Sequence, residues 1–198
     1  AAKAGNWWES NSQRALSNNS VAYSRKPDMA QFIAEWKSLY DSKSGERGIY
    51  NVAAAQAQAS KFGRRSAEIH YGTNPCSEII LRPYQFCNLS EVVLRETDTV
   101  ADVANKVRLA TILGTWQSTL TDFKYLRKIW KDNTEEERLL GVSLTGQFGN
   151  KFFSGKEDLK KLEETLNQLR EYAREINKEE AGKIGIPASA AITCVKPS

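Results

Sequence analysis

The sequence predicts an α/β protein with a parallel component. Short segments of strand-like composition alternate along the chain with segments of helical period, the pattern of βαβ units. Leu140 to Thr145 alternates apolar and small residues as a buried strand does, and Glu157 to Lys178 carries leucines at the three- and four-residue spacing of an amphipathic helix. The 198 residues are 40% hydrophobic and 26% charged, which suits a folded domain of ordinary size. No stretch approaches the roughly 18 continuous apolar residues of a membrane span, and none resembles a signal peptide. The net charge of +4 comes from 28 basic and 24 acidic residues that are interspersed, so it does not predict nucleic-acid binding. Three cysteines, Cys76, Cys87 and Cys194, with no secretory signal, argue against a disulfide framework and point to a cytoplasmic protein. A zinc site would need all three plus the single histidine, His70, without the close paired spacing of a zinc ribbon; His70 reads as a structural or surface side chain.

The elements follow in order. Leu16 to Tyr23 reads as a strand with unusually polar side chains, facing solvent or a lined cavity. Asp28 caps a helix with Gln31 at the capping-box position, and Met29, Phe32, Ile33, Trp36, Leu39 and Tyr40 form an apolar face expected to pack in the core. Ser44-Gly45 ends it. Val52 to Lys61, rich in alanine, is helical and stops at Gly63-Arg64-Arg65. From Ile69 to Leu94 the pattern becomes loop, short strand, loop and strand, with Asn74-Pro75 as a turn signal. Asp98 is expected to cap a helix whose face is Val100, Val103, Ala104, Val107 and Ala110. Asp122 to Trp130 is read as helical, and Thr134-Glu135-Glu136-Glu137 as a capping box opening a short helix. Gly146 ends the strand Leu140 to Thr145. After Gly182, Gly185 and Pro187, Ser189 to Val195 forms a short apolar strand. The chain stops just beyond it, where a βα loop would begin, so truncation inside a ligand site is expected.

The chemistry-bearing constellation is Asn74-Pro75-Cys76-Ser77-Glu78. In an extended loop, residues two apart point to the same side, which would turn Asn74, Cys76 and Glu78 toward one ligand. An amide binds hydroxyls, a thiol donates a hydrogen atom or attacks as a nucleophile, and a carboxylate takes a proton. Cys87 follows eleven residues after Cys76, in the strand Phe86 to Ser90. From the residues alone, a buried structural Cys76 with a surface or capping Glu78 stands equally well.

Asn74-Pro75-Cys76-Ser77-Glu78-Ile79 resembles the finger-loop signature of the ribonucleotide reductase catalytic chain. Ser17-Asn18-Asn19-Ser20, Cys87-Asn88-Leu89-Ser90, Gly141-Val142-Ser143-Leu144-Thr145-Gly146 and Ala191-Ile192-Thr193-Cys194-Val195-Lys196-Pro197-Ser198 resemble further family segments, in family order. The short gap between Cys76 and Cys87 is most similar to the adenosylcobalamin-dependent, class II enzymes. The resemblance implies part of a ten-stranded α/β barrel around a central finger loop at about residues 70–86, with residues 1–198 as the central segment of one catalytic domain. It implies that Cys76 becomes the thiyl radical that abstracts the 3′ hydrogen of the ribose. The same resemblance implies that Glu78 takes the proton of the 3′ hydroxyl, that Asn74 binds the ribose hydroxyls, and that Cys87 is one of two cysteines that form a disulfide as the 2′ hydroxyl leaves as water. Lys196-Pro197-Ser198 is similar to the start of the family's phosphate loop, which makes Pro197 and Ser198 substrate contacts; Cys194 matches no redox position and reads as a buried strand residue.

The partners so implied are a ribonucleotide, a thioredoxin- or glutaredoxin-like reductant, and complementary segments of the same reductase. The second redox cysteine, the specificity loop and the remainder of the phosphate loop are not in this sequence, so the chain is expected to be inactive alone. A split gene or a segment between inteins would produce such a piece. Two other readings are a nucleotide- or nucleic-acid-binding module using Trp7, Trp8 and scattered lysines, and a simple thiol redox protein using Cys76 and Cys87. The second lacks a C-x-x-C motif.

Overall fold

The structure, a computed structural model, describes residues 5–16, 19–43, 47–74 and 77–192. It is mixed α/β with small sheets, and the described residues form no closed barrel. They divide into two compact units, Ala1–Pro83 and Tyr84–Ser198.

The first unit opens with a short helix, α1 (Trp7–Ser10), and a 3₁₀ turn over Ser12–Leu16. The polar strand therefore begins later than the composition suggests, as β1 (Asn19–Tyr23). It pairs in parallel with β2 (Arg47–Asn51), and α2 (Met29–Ser42) is the crossover between them, a βαβ unit. β2 has no strong signal of its own in the sequence. The Asp28 carboxylate accepts the Gln31 N–H at 2.8 Å, as expected of the cap, and Lys43 ends α2 in a left-handed conformation.

The apolar face of α2 is not core. Trp36 is 58% exposed, Tyr40 77% and Met29 74%, and no residue of the helix is buried. Helical spacing gathers side chains on one face, but burial needs a second apolar surface, and among the described residues none covers α2. β2 runs directly into α3 (Val52–Ser60), capped by Asn51, whose side chain accepts the Ala54 N–H. Ala55, Ala59 and Tyr71 form the small core of this unit, with Tyr50, Ile69 and Ile80 packed against it. β3 (Gly72–Thr73) and β4 (Ile80–Leu81) close it as an antiparallel hairpin.

In the second unit, β5 (Asn88–Val93) and β6 (Leu140–Thr145) pair in parallel over six residues. Ile192 adds a parallel bridge to Leu140, which also donates its N–H to the Ala191 carbonyl. Of the expected strand Ser189 to Val195, the described residues show this isolated bridge at Ile192 and no strand before it, and residues 193–195 lie outside the described residues. α4 (Val100–Gln117) and α6 (Leu159–Lys183) pack together beside the sheet. Val92, Leu94, Val103, Val107, Ala110, Leu140, Val142, Phe153, Leu169 and Ala173 make the core.

Three expectations are corrected here. α4 is capped by Thr99, not Asp98: Thr99 and Asp102 form a reciprocal capping box, while Asp98 accepts the Arg95 N–H and the Lys106 ammonium. A hydroxyl one residue closer to the helix reaches the free amides, and the carboxylate is drawn to the cation instead. The segment after Asp122 is turn, and the helix, α5, spans Lys128–Glu137. Thr134 lies in its last turn rather than opening a new helix: the Arg138 N–H donates to the Thr134 carbonyl at 2.8 Å, and Arg138 is left-handed. Lys128 and Asp132, four residues apart and in contact, support the earlier start. α6 also runs five residues beyond Lys178, burying Glu180 and Ala181.

Candidate functional site

The hairpin of β3 and β4 carries the Asn74–Glu78 segment at its tip. Its register pairs Gly72 with Leu81 and Thr73 with Ile80. Beyond the strands, the Asn74 N–H donates to the Ile79 carbonyl, the Ile79 N–H donates to Asn74 Oδ1 at 3.0 Å, and the Ser77 N–H donates to the Asn74 carbonyl at 3.0 Å. Thr73 Oγ1 also donates to Asn74 Oδ1. Pro75 and Cys76 lie outside the described residues.

These bonds tie Asn74 to Ser77 and Ile79, and Ser77 has a φ of 66°. The expected alternation of Asn74, Cys76 and Glu78 runs through Pro75 and Cys76, outside the described residues. The bonds have a local cause: asparagine before proline initiates turns, and its side chain bonds to nearby main chain in place of a partner strand. One oxygen of Asn74 thus holds the turn together, while its amide nitrogen makes no hydrogen bond among the described residues.

Glu78 is half-buried, and its Oε2 is buried without a hydrogen-bond partner among the described residues. A buried acceptor in that condition costs about 1–3 kcal/mol, so it is a place where a hydrogen-bond donor would be welcome.

Residues outside the sequence-derived set support this tip. Tyr50 on β2 donates its hydroxyl to the Gly72 carbonyl at 2.8 Å. Arg65 donates to the Ile80 carbonyl at 3.0 Å, and its guanidinium lies 4.7 Å from the centroid of the Tyr71 ring. Gln56 on α3 donates to the Ile69 carbonyl at 3.1 Å. Burial pushes the Tyr50 phenol above its ordinary pKa, against the opposing pull of the Arg65 charge. No spacing rule finds these side chains, because each acts through a main-chain carbonyl distant in sequence.

In the second unit, Cys87 is a half-buried thiol one residue ahead of β5. Cys194, Pro197 and Ser198 lie outside the described residues. The approach to them is held from α6. Asn177, 1% exposed, accepts the Ser189 N–H at 2.8 Å and donates to Thr115 Oγ1 at 2.9 Å. The Ala190 N–H donates to the Glu137 carbonyl at 2.7 Å. Among the described residues no three ligating side chains converge as a metal site would require, and His70 is exposed. Nor is any helix among them long and apolar enough to cross a membrane.

No family model matches this sequence, and no solved structure matches it. The chain is similar to the adenosylcobalamin-dependent ribonucleoside-triphosphate reductase of Lacticaseibacillus paracasei, 31% identical over 157 residues. That stretch covers 74% of this chain and 20% of the reductase, so the chain spans about a fifth of the length of the relative it matches. A likeness of this extent supports a ribonucleotide-reductase-like relationship.

Proposed function

We propose that this chain is the part of a ribonucleotide reductase that carries the catalytic loop, within an α/β barrel completed by other segments. The observation that carries the reading is the Glu78 carboxylate oxygen, buried and without a hydrogen-bond partner among the described residues, beside Asn74 in a chain similar to such a reductase. In this reading Cys76 is the thiyl that takes the 3′ hydrogen, Glu78 receives the 3′ hydroxyl proton, and the Asn74 amide nitrogen binds a ribose hydroxyl. Cys87 and a second thiol supply the two electrons, ending as a disulfide while the 2′ hydroxyl departs as water. Pro197 and Ser198 contact the nucleotide phosphates, and a thioredoxin- or glutaredoxin-like protein restores the dithiol.

The relative is named as adenosylcobalamin-dependent, and that cofactor supplies a carbon-centred radical when bound. Among the described residues the single imidazole is exposed and no ligating cluster converges. These residues do not by themselves fit a corrin cobalt, so none of them is assigned to it.

The test is nucleotide reduction by the chain combined with its complementary segments, with adenosylcobalamin and a dithiol supplied. Deoxynucleotide should form, disappear with Cys76→Ser, and fall at least about a hundredfold with Glu78→Gln, the scale of a lost acid–base group. Product that persists in Cys76→Ser, or none from folded and assembled wild-type segments, would refute the reading.

A further inference from the structure

Two strands separated by a short turn make a weak unit by themselves, because two rungs of hydrogen bonds do not offset the entropy of ordering the chain. Among the described residues the β3–β4 strands pair at Gly72 with Leu81 and Thr73 with Ile80, extended by the long Asn74 N–H to Ile79 carbonyl bond. Something outside the hairpin must set where its tip stands. The structure shows one anchor on each strand. The Tyr50 hydroxyl holds the Gly72 carbonyl of β3, and the Arg65 guanidinium holds the Ile80 carbonyl of β4. These carbonyls belong to neighbouring rungs on opposite strands, so together they restrain both sliding and rotation of the hairpin.

The anchors are themselves fixed. Arg65 is 7% exposed and lies over the ring of Tyr71, which is 1% exposed and donates its hydroxyl to the Ser66 carbonyl at 2.8 Å. Tyr50 packs on the Ala55, Ala59 and Tyr71 core. A planar guanidinium suits this place: one face stacks on the phenol ring while its edge donates to a carbonyl.

We propose that Tyr50 and Arg65 are positioning residues that clamp one strand each of the loop-bearing hairpin and so set where Asn74 and Glu78 are presented. This rests on the reductase reading for its catalytic consequence, though not for the clamp itself. Each holds a backbone carbonyl, Gly72 or Ile80, within two residues of the turn.

The experiment uses the assembled enzyme with Tyr50→Phe, Arg65→Met and Arg65→Lys, and reads two things. The first is amide hydrogen exchange at Ser77 and Ile79, whose N–H groups close the turn onto Asn74. The second is kcat and KM for nucleotide reduction. Tyr50→Phe and Arg65→Met should each speed exchange at those two amides by about tenfold, with α3 amides unchanged. Each should also lower kcat about tenfold with KM within about twofold, the signature of a group that places catalytic residues without binding substrate. Arg65→Lys, which keeps a donor for Ile80, should recover part of both. A merely structural role would speed exchange throughout the unit and leave kcat per folded molecule unchanged, which would overturn the proposal. So would turn amides that exchange at the wild-type rate in both Tyr50→Phe and Arg65→Met. If the wild-type assembly shows no reduction, the exchange result still decides the clamp, and only the reductase reading fails.

Discussion

Gly146→Ala offers a sharp test of how the second unit is built. Gly146 follows β6 with φ of 77° and ψ of 14°, and a Cβ placed there would lie 2.6 Å from the Leu94 carbonyl oxygen. That oxygen cannot easily give way, because the Leu94 N–H donates to the Thr145 carbonyl at 2.9 Å, one residue before the glycine. Left-handed backbone costs a residue with a Cβ about 1–2 kcal/mol. Relieving the overlap with main chain costs about 1–3 kcal/mol more. The narrower unfolded ensemble of alanine returns about 0.4–1 kcal/mol. The net loss is about 1–5 kcal/mol, centred near 3, which lowers the urea midpoint by about 1 M or more at an ordinary denaturant slope. Gly149→Ala is the control, since Gly149 has no positive φ and nothing within 4 Å of its added Cβ. It should leave the midpoint unchanged or raise it slightly. Urea unfolding followed by tryptophan fluorescence measures both variants. Coincident midpoints for the two would refute the reasoning, because only the left-handed backbone and the Leu94 contact separate them.

Asp98 and Asn177 give two further tests. The Lys106 ammonium, then the Arg95 N–H, hold the Asp98 carboxyl below the usual carboxylate range. The sign follows: its contribution is full above the unfolded pKa of about 4 and is lost as the pH falls through the lowered folded value. The stability difference between wild type and Asp98→Asn should therefore be flat near neutral pH and shrink below about pH 4; a difference that stays constant to about pH 2 would refute it. Asn177→Ala strips the acceptor from the Ser189 N–H and the donor from Thr115 Oγ1. It should cost about 1–3 kcal/mol in thermal unfolding, with Asn177→Asp, which keeps the acceptor, losing less; an unchanged midpoint for the alanine variant would remove Asn177 from its role.

The candidate site was legible in the sequence as residue types and order, not as geometry. Asn74-Pro75 marks a turn, and among the described residues Asn74 gives one side-chain oxygen to the Ile79 amide while the Ser77 N–H returns to the Asn74 carbonyl. The expected alternation of Asn74, Cys76 and Glu78 runs through Pro75 and Cys76, outside the described residues. Nothing in the spacing marks Tyr50 or Arg65, since a side chain that reaches a carbonyl 15 or 22 residues away leaves no local pattern.

The sequence by itself determined what acts within a turn or two of chain. The Asp28 cap, the alanine-rich α3, the leucine spacing of α6 and the glycine that ends β6 all stand where their local chemistry puts them. Only the tertiary structure decided what depends on a second surface. The aromatic face of α2 has the spacing of a core helix, yet it is exposed because spacing cannot supply the layer that would cover it. Thr134 and the glutamates after it read as a helix start, yet they end α5, because the same residues are compatible with either end. The backbone from Lys128 had already committed the chain. Capping and periodicity act over a few residues, whereas burial and the direction of a turn are settled by partners far along the chain.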